Sequence, residues 1–480
     1  NPKSDVALHD PEILLEALPE HSTPAVPTKA QDAYDKLKTD FSSCVLPYNQ
    51  PLDVSRTYLR QLGTRRYATM RRFRKNITEF VLDPSNETAE FQKHLWRYPV
   101  RIETAIEYLC ITPEEYSTLF QTNIPQTTIL KQKGKGRAAR AVRQIATPLY
   151  TMYGFDAESA DGGEGPLWTD VVVRLDEFMN RTCLSYCEFI ELWKSEFVKF
   201  EPQPNQNRED EDVFPECEPC CLDKYRIQFT DPEDSIEALR RLVVFIRLWR
   251  KLQCVANAHY TFTELRDICD VLKLFIGANI NPDFIRQLAA FQMFRDDFKL
   301  SLTDGTPLVI NATGAERLHL LAFWSPGAPK WNWAIEHLLN QIEQYALNVH
   351  HCCCREPEFI KLLEENLDSL SALAGFTPSI AIDTWQAHPT NTLRFAEILA
   401  KIYASEFRVG ELLFLFTTDM HLDGDDPFPL QTDNETKDSP FGLPDDDDEN
   451  SLYALRKKLL GVEVCPENAL QWTWSRMESV

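Results

Sequence analysis

Residues 54–75 read VSRTYLRQLGTRRYATMRRFRK, and their reading decides the fold. Val54, Tyr58, Leu59 and Leu62 recur at three- and four-residue spacings, the period of one helical face, which predicts a helix with those four side chains turned inward. Gly63 offers the left-handed position that ends a helix, and Thr64 follows at once as an N-cap for a second one. The inward face of that second helix would be Tyr67, Met70 and Phe73. The outer faces then carry Arg56, Arg60, Arg65, Arg66, Arg71, Arg72, Arg74 and Lys75, with no acid among them. The unit is a helical hairpin with a very tight break, and its arginines are expected to pair with acidic faces of neighbouring helices or subunits.

The rest of the chain fits this pattern. Its 480 residues suffice for two to four domains, and 43% hydrophobic with 11% aromatic content is that of a globular protein. Only 16 glycines argue against an all-β chain with many tight turns. The net charge of −23 argues against a general nucleic-acid binder, which needs a basic surface. A DNA-reading helix-turn-helix at 56–75 is disfavoured further, because the break at Gly63-Thr64 is shorter than the turn of that motif. No apolar run approaches the length of a membrane span. The N-terminus shows no signal peptide and begins with Asn1, so the chain is expected to be processed or cut from a longer one.

Helix starts repeat. Ile111-Thr112-Pro113-Glu114-Glu115-Tyr116, Leu184-Ser185-Tyr186-Cys187-Glu188-Phe189 and Tyr260-Thr261-Phe262-Thr263-Glu264-Leu265 each place an N-cap hydroxyl three residues before a glutamate, between apolar residues. Each is a capping box with a hydrophobic staple, and a degenerate copy lies at Phe407 to Leu412. The irregular spacing does not support a solenoid. Ile236 to Leu252 is the clearest single helix, with Thr230 and Glu233 as its capping box. Ile236, Leu239, Leu242, Val243, Ile246 and Trp249 form its apolar stripe, and Arg240, Arg241, Arg247, Arg250 and Lys251 crowd its other side. Residues 131–144, 156–166, 201–212 and 421–450 read as loops. Phe298 to Ala312 alternates, with Asp304-Gly305 as a possible hairpin turn.

Several blocks in order resemble the A component of the insecticidal Tc toxin complexes. They are YLRQLGTRRYATMRRFR (58–74), ITPEEYSTLF (111–120), LYTMYGF (149–155), FMNRTCLSYCEFIELWKSEF (178–197), LDKYRIQF (222–229), LVVFIRLWRKL (242–252), YTFTELRDICDVL (260–272) and IRQLAAFQ (285–292). The same region is similar to the Salmonella virulence plasmid A proteins, and ELLFLFTTDMHLDGDDPFPL (411–430) continues the likeness. The resemblance implies part of the α-helical shell of a large pentameric, pore-forming translocation subunit. In that family, receptor-binding domains and membrane-entering helices lie in later parts of a longer chain. Pore formation is therefore expected to reside outside these residues, and the family supplies no catalytic residue here. The segments 131–144 and 201–221 read as insertions.

Other chemistry is weighed against blander readings. Cys217, Cys220 and Cys221 (CEPCC) hold a C-x2-C pair, half of a tetrahedral zinc site. The other half would have to come from elsewhere, such as His350, His351, Cys352, Cys353 and Cys354. Packing residues are the better reading, as they are for Cys183 and Cys187. Most of the 13 cysteines are expected to be reduced and buried. Asp423, Asp425, Asp426 and Asp445 to Asp448 lack the EF-hand pattern and read as a solvated acidic loop. Walker, G-x-S-x-G, H-E-x-x-H and dinucleotide motifs are absent from the sequence.

The sequence thus predicts a mainly α fold, an irregular multi-lobed bundle of helical hairpins with at most a minor β-hairpin. Residues 1–40 form a poorly ordered leader, 41–300 a virulence-plasmid-A-like shell region, and 301–480 a second helical region with acidic loops. No catalytic, cofactor-binding or metal residue is assigned. The expected function is a non-catalytic shell segment of a toxin-like translocating subunit; the alternative is a free-standing helical interaction scaffold. Expected partners are further copies of itself, toxin B/C-type components through the full-length chain, and host-cell surface receptors. Neither nucleic acid nor a direct membrane span is expected. The location follows the function, extracellular for the toxin and cytoplasmic otherwise.

Overall fold

The computed structural model describes residues 37–41, 46–72, 100–120, 148–155, 166–204, 214–216, 221–231, 235–306, 310–311, 314–315, 318–325, 328–350, 358–374, 376, 384–405, 407–410 and 412. The protein is mainly α-helical. In chain order its α-helices are α1 (Gln50–Gln61), α2 (Arg66–Arg72), α3 (Ile102–Tyr108), α4 (Pro113–Leu119), α5 (Leu149–Met152), α6 (Trp168–Val172), α7 (Leu175–Thr182), α8 (Tyr186–Ser195), α9 (Ser235–Leu252), α10 (Phe262–Leu272), α11 (Phe284–Asp297), α12 (Trp331–His350), α13 (Glu358–Glu365), α14 (Leu367–Leu373) and α15 (Pro389–Ala404). Among the described residues, β structure is limited to three two-stranded antiparallel pairs. These are β1 (Phe200–Pro204) with β2 (Tyr225–Phe229), β3 (Phe275–Ile276) with β4 (Asn279–Ile280), and β5 (Ile310–Asn311) with β6 (Gly314–Ala315). The chain divides into two compact units, one of Asn1–Arg74 with Ile102–Ile285, the other of Lys75–Arg101 with Arg286–Val480.

The first unit is built from tight helix–helix corners. At α1, Gly63 takes φ +74°, its amide donates to Arg60 O, and the Thr64 amide donates to Leu59 O, both at 3.0 Å. This is a Schellman closure, so Thr64 serves the end of α1. The next helix opens at Arg66, which leaves Arg65 and not Thr64 at its cap position. The same closure recurs at Cys110 (φ +59°), with Ile111 N donating to Ile106 O, and at Cys183 (φ +56°), with Leu184 N donating to Met179 O. In both corners the apolar residue that follows, buried Ile111 or Leu184, is also the residue before the next N-cap. One side chain therefore ends one helix and starts the next, which is why the linkers are so short.

Of the three repeated capping boxes two form, and Thr230, expected to cap α9, instead follows β2 and donates its hydroxyl to Lys199 O, with α9 opening at Ser235. Ser185 with Glu188 and Thr261 with Glu264 are reciprocal. At α4, Thr112 Oγ1 accepts from Glu115 N at 3.1 Å, but the Glu115 carboxylate turns to other partners. Helix α9 runs almost where its periodicity predicts but is enclosed nearly all round, with Arg240 and Arg247 among its buried residues. They do not lie on an outer face, because each guanidinium finds acceptors inside. Arg240 reaches the Glu237 carboxylate (2.8 and 2.6 Å) and Ala278 O. Around α9, Phe245 stacks on Phe197 at 3.8 Å, and Trp249 stacks on Phe262 at 4.4 Å while donating to Tyr260 O.

In the second unit, α12 packs along α15. The start of α15 buries Thr390, Asn391 and Thr392, and each is satisfied: Thr390 N and Oγ1 donate to Gln287 Oε1, Asn391 Nδ2 to Thr384 O, and Thr392 Oγ1 to Trp385 O. Such pairing is what makes burial of polar groups tolerable. The predicted hairpin over 298–312 forms differently. Residues 301–306 are irregular, with Gly305 at φ +85°, and the strand pair lies beyond them at 310–315.

Candidate functional site

The basic hairpin is seated on one carboxylate. Glu107, in the last turn of α3, receives Arg56 side-on, Nε to Oε1 at 2.9 Å and Nη2 to Oε2 at 3.1 Å. Arg66 Nη1 adds a third bond at 2.8 Å. Tyr67 meets Tyr108 edge-on with centroids 4.8 Å apart. The expected pairing of these arginines with a neighbouring acidic helix is thus present for Arg56 and Arg66. Of the four side chains predicted to face inward on α1, Leu59 does and the other three do not. Leu52, Arg56 and Leu59 face inward, and Val54, Tyr58 and Leu62 are exposed. Asn49 caps α1 by accepting from Leu52 N and donates to the Glu114 carboxylate, a contact the sequence reading missed.

Beside it lies a second, deeper charge cluster. Glu115 is fully buried; Lys251 Nζ is 2.9 Å from Oε2 and Arg247 Nη1 is 3.8 Å from Oε1. Arg247 also donates to Leu46 O at 3.0 Å and to Phe41 O. Burial pushes the Glu115 carboxyl up, and Lys251 and Arg247 pull against that shift. One turn along α9, Arg250 grips Glu188 at 3.0 and 3.1 Å. Burial raises Glu188, but the Ser185 amide and Arg250 outweigh it and hold the carboxyl below its ordinary value. One face of α9 thereby ties together the N-terminal segment, α4 and α8.

In the second unit, the Asp304 carboxylate accepts from Lys330 Nζ (2.7 Å) and from the Thr306 amide (2.9 Å) and hydroxyl, while the Asp304 amide donates to His319 Nδ1 (3.1 Å). The Lys330 ammonium and then the Thr306 hydroxyl and amide hold its carboxyl far below the usual aspartate range. Since the folded value lies below the unfolded one, this stabilisation is present above the ordinary aspartate pKa and is lost only as pH falls through the folded value. In a carboxyl-carbon NMR titration, Asp304 is expected to be among the last aspartates to take up a proton, and Lys330→Met should move its midpoint back towards the ordinary value. A midpoint unmoved by that substitution would show that Lys330 does not hold the charge.

The candidate metal-binding clusters fall almost wholly outside the described residues. Cys217, Cys220, His351 and Cys352 to Cys354 lie outside the described residues, as do Asp423, Asp425, Asp426 and Asp445 to Asp448, the expected loops at 131–144 and 421–450, and all but residue 166 of the loop expected at 156–166. The loop expected at 201–212 is corrected at its start, where 201–204 belong to β1; its remainder is outside the described residues. His350 closes α12, and Cys221 precedes the 3-10 turn Leu222–Lys224 at φ +57°. Among the described residues no three metal-ligating side chains converge. The six described cysteines are free thiols, but Cys183, Cys187, Cys221 and Cys254 are exposed and only Cys269 is fully buried. This corrects the packing reading of Cys183 and Cys187: Cys183 occupies a left-handed corner and Cys187 lies in the first turn of the next helix, and both are exposed. Burial pushes the Cys110 and Cys269 thiols up, away from the reactive thiolate. Among the described residues, no helix is long and apolar enough to cross a membrane.

The chain matches no protein-family model, and no curated protein or solved structure matches it. What the two clusters of the first unit can do follows from their geometry. They tie together helices distant in sequence, and the burial of Glu115 and Arg247 shields the second of them from salt.

Proposed function

We propose that the chain is a non-catalytic helical shell segment of a Tc-toxin-like A subunit, a pore-forming, protein-translocating homo-oligomer with toxin activity. The observation that carries this reading is the outward face of α1. Val54, Tyr58 and Leu62, four residues apart in turn, are 45%, 70% and 77% exposed on a helix whose opposite side is pinned by Arg56. An apolar stripe facing water calls for a covering body. A second copy suits it. The stripe is bordered by uncharged Ser55, Thr57 and Gln61, with exposed Asp53 near its start and exposed Arg60 and Arg65 towards its end, on a chain whose net charge is −23. Elsewhere copies of so acidic a chain repel; here a basic, apolar surface meets an acidic neighbour. In this reading B/C-type components bind through the full-length chain, host-cell surface receptors are its targets, and it acts outside the cell that makes it.

The test is native mass spectrometry with sedimentation of the source protein and of this chain. A pentamer is expected, and Tyr58→Glu with Leu62→Glu should weaken its assembly at least about tenfold while leaving helicity unchanged. A chain that stays monomeric at its solubility limit, from a source protein no longer than this one, would remove translocation and leave a helical interaction scaffold.

A further inference from the structure

We propose that the cavity between the start of α12, the α13–α14 break and the segment before α15 binds a small organic ammonium cation. The cavity measures about 300 Å³, at the lower end of the range of small-ligand sites. Two indoles line it, Trp331 and Trp385, with centroids 5.9 Å apart. Trp385 is 4% exposed and wedged between Phe395 (5.0 Å) and Phe323 (6.0 Å), so this wall is preformed. The lining also carries Glu364 and Asp368, four residues apart across the break at Asn366. Among the described residues neither carboxylate has an ion-pair partner, whereas the adjacent Glu365 is met by Lys361 at 3.6 Å. Asn332 and Gln386 add amide groups to the lining.

These groups select a ligand class. An indole face attracts a cation through its quadrupole, most effectively an alkylated ammonium that is weakly hydrated. A hard metal ion is disfavoured, since it requires several convergent oxygens that the described residues do not supply. An anion would meet two uncompensated carboxylates. A compact cation such as a trimethylalkylammonium satisfies both sets of groups, its methyl groups against the indoles and its charge towards Glu364 and Asp368. This inference is independent of the toxin-shell reading and stands or falls without it.

Isothermal titration of the full chain tests it, with choline chloride, its neutral isostere 3,3-dimethyl-1-butanol, phosphocholine and sodium chloride as titrants. Choline is expected to bind saturably, and the isostere at least about tenfold more weakly because it lacks the charge. Phosphocholine should also bind more weakly, its phosphate facing the carboxylates. The exposed double variant E364Q/D368N should lower choline affinity about tenfold without touching the core. Trp331→Leu should abolish binding, with circular dichroism to verify the fold. Choline heats equal to those of sodium chloride would overturn the proposal. So would equal binding of the neutral isostere, or an unchanged affinity in E364Q/D368N.

Discussion

Replacing Glu115 by alanine is expected to cost about 3–5 kcal/mol of stability at neutral pH, the range for removing one partner of a buried charge cluster. The cost arises from what remains. Lys251 Nζ, 2.9 Å from the lost carboxylate, and Arg247, itself buried, would stay in the interior with less compensation. Arg247 keeps the carbonyls of Phe41 and Leu46, so Lys251 bears most of the loss. Glu115→Gln retains the shape and an acceptor and should cost clearly less than Glu115→Ala. The pH dependence separates charge from packing. Burial raises the folded pKa of Glu115 above its unfolded value. Its titration therefore favours folding fully below the ordinary glutamate pKa, and that contribution fades as pH rises through the folded value. Wild type should accordingly hold its largest advantage over Glu115→Gln in mild acid, with the gap narrowing towards neutral pH. Urea unfolding of the full chain across that range measures both. A gap that widens with pH would mean the two cations dominate burial and hold the carboxyl below its ordinary value.

Much of the helical frame was legible because its signals are local. The boxes Ser185/Glu188 and Thr261/Glu264 start helices where their spacing says, and Ile236 to Leu252 lies within α9 almost residue for residue. Gly63 adopts the left-handed corner expected of it. The strand pair β1–β2 was missed, although one of its strands carries a local signal. Tyr225, Ile227 and Phe229 alternate with exposed Arg226 and Gln228, a period-two pattern. Its partner Phe200–Pro204 carries two prolines, which argue against a strand, and the pairing tolerates them because each strand of a two-stranded sheet has an open edge.

Which face of a helix turns inward was not legible where distant charges decide it. Periodicity alone turns Val54, Tyr58 and Leu62 inward, since an isolated helix buries its apolar side. Arg56 reverses that choice because its acceptor, Glu107, stands 51 residues further along the chain. Nothing in IETAIEY marks Glu107 as that acceptor, and Glu115 is equally hidden because its position in a capping box already accounts for it. The same holds for Arg240 and Arg247, which read as solvent-facing and are buried. Buried ion pairs are long-range facts. Each partner looks like surface until the other is known.

Glu107→Ala is therefore the sharpest test of how the basic hairpin is held. Three charge-assisted bonds at 2.8–3.1 Å converge on this carboxylate, and α1 has no buried residue of its own to replace them. The loss should be about 2–4 kcal/mol, below that for Glu115, because Arg66 is 37% exposed and regains water when released. The effect should also be local. Tyr67 against Tyr108 and the Asn49–Glu114 bonds are among the contacts that remain between α1–α2 and α3–α4. Cleavage by trypsin at Arg60, Arg65 and Arg66 is then expected to accelerate well before the rest of the chain unfolds. Glu107→Asp should recover part of the protection, since a shorter carboxylate reaches one arginine but not both. Unchanged cleavage in Glu107→Ala would mean that the hairpin is seated by packing and not by charge, and the outward stripe of α1 would then owe its exposure to something other than Arg56.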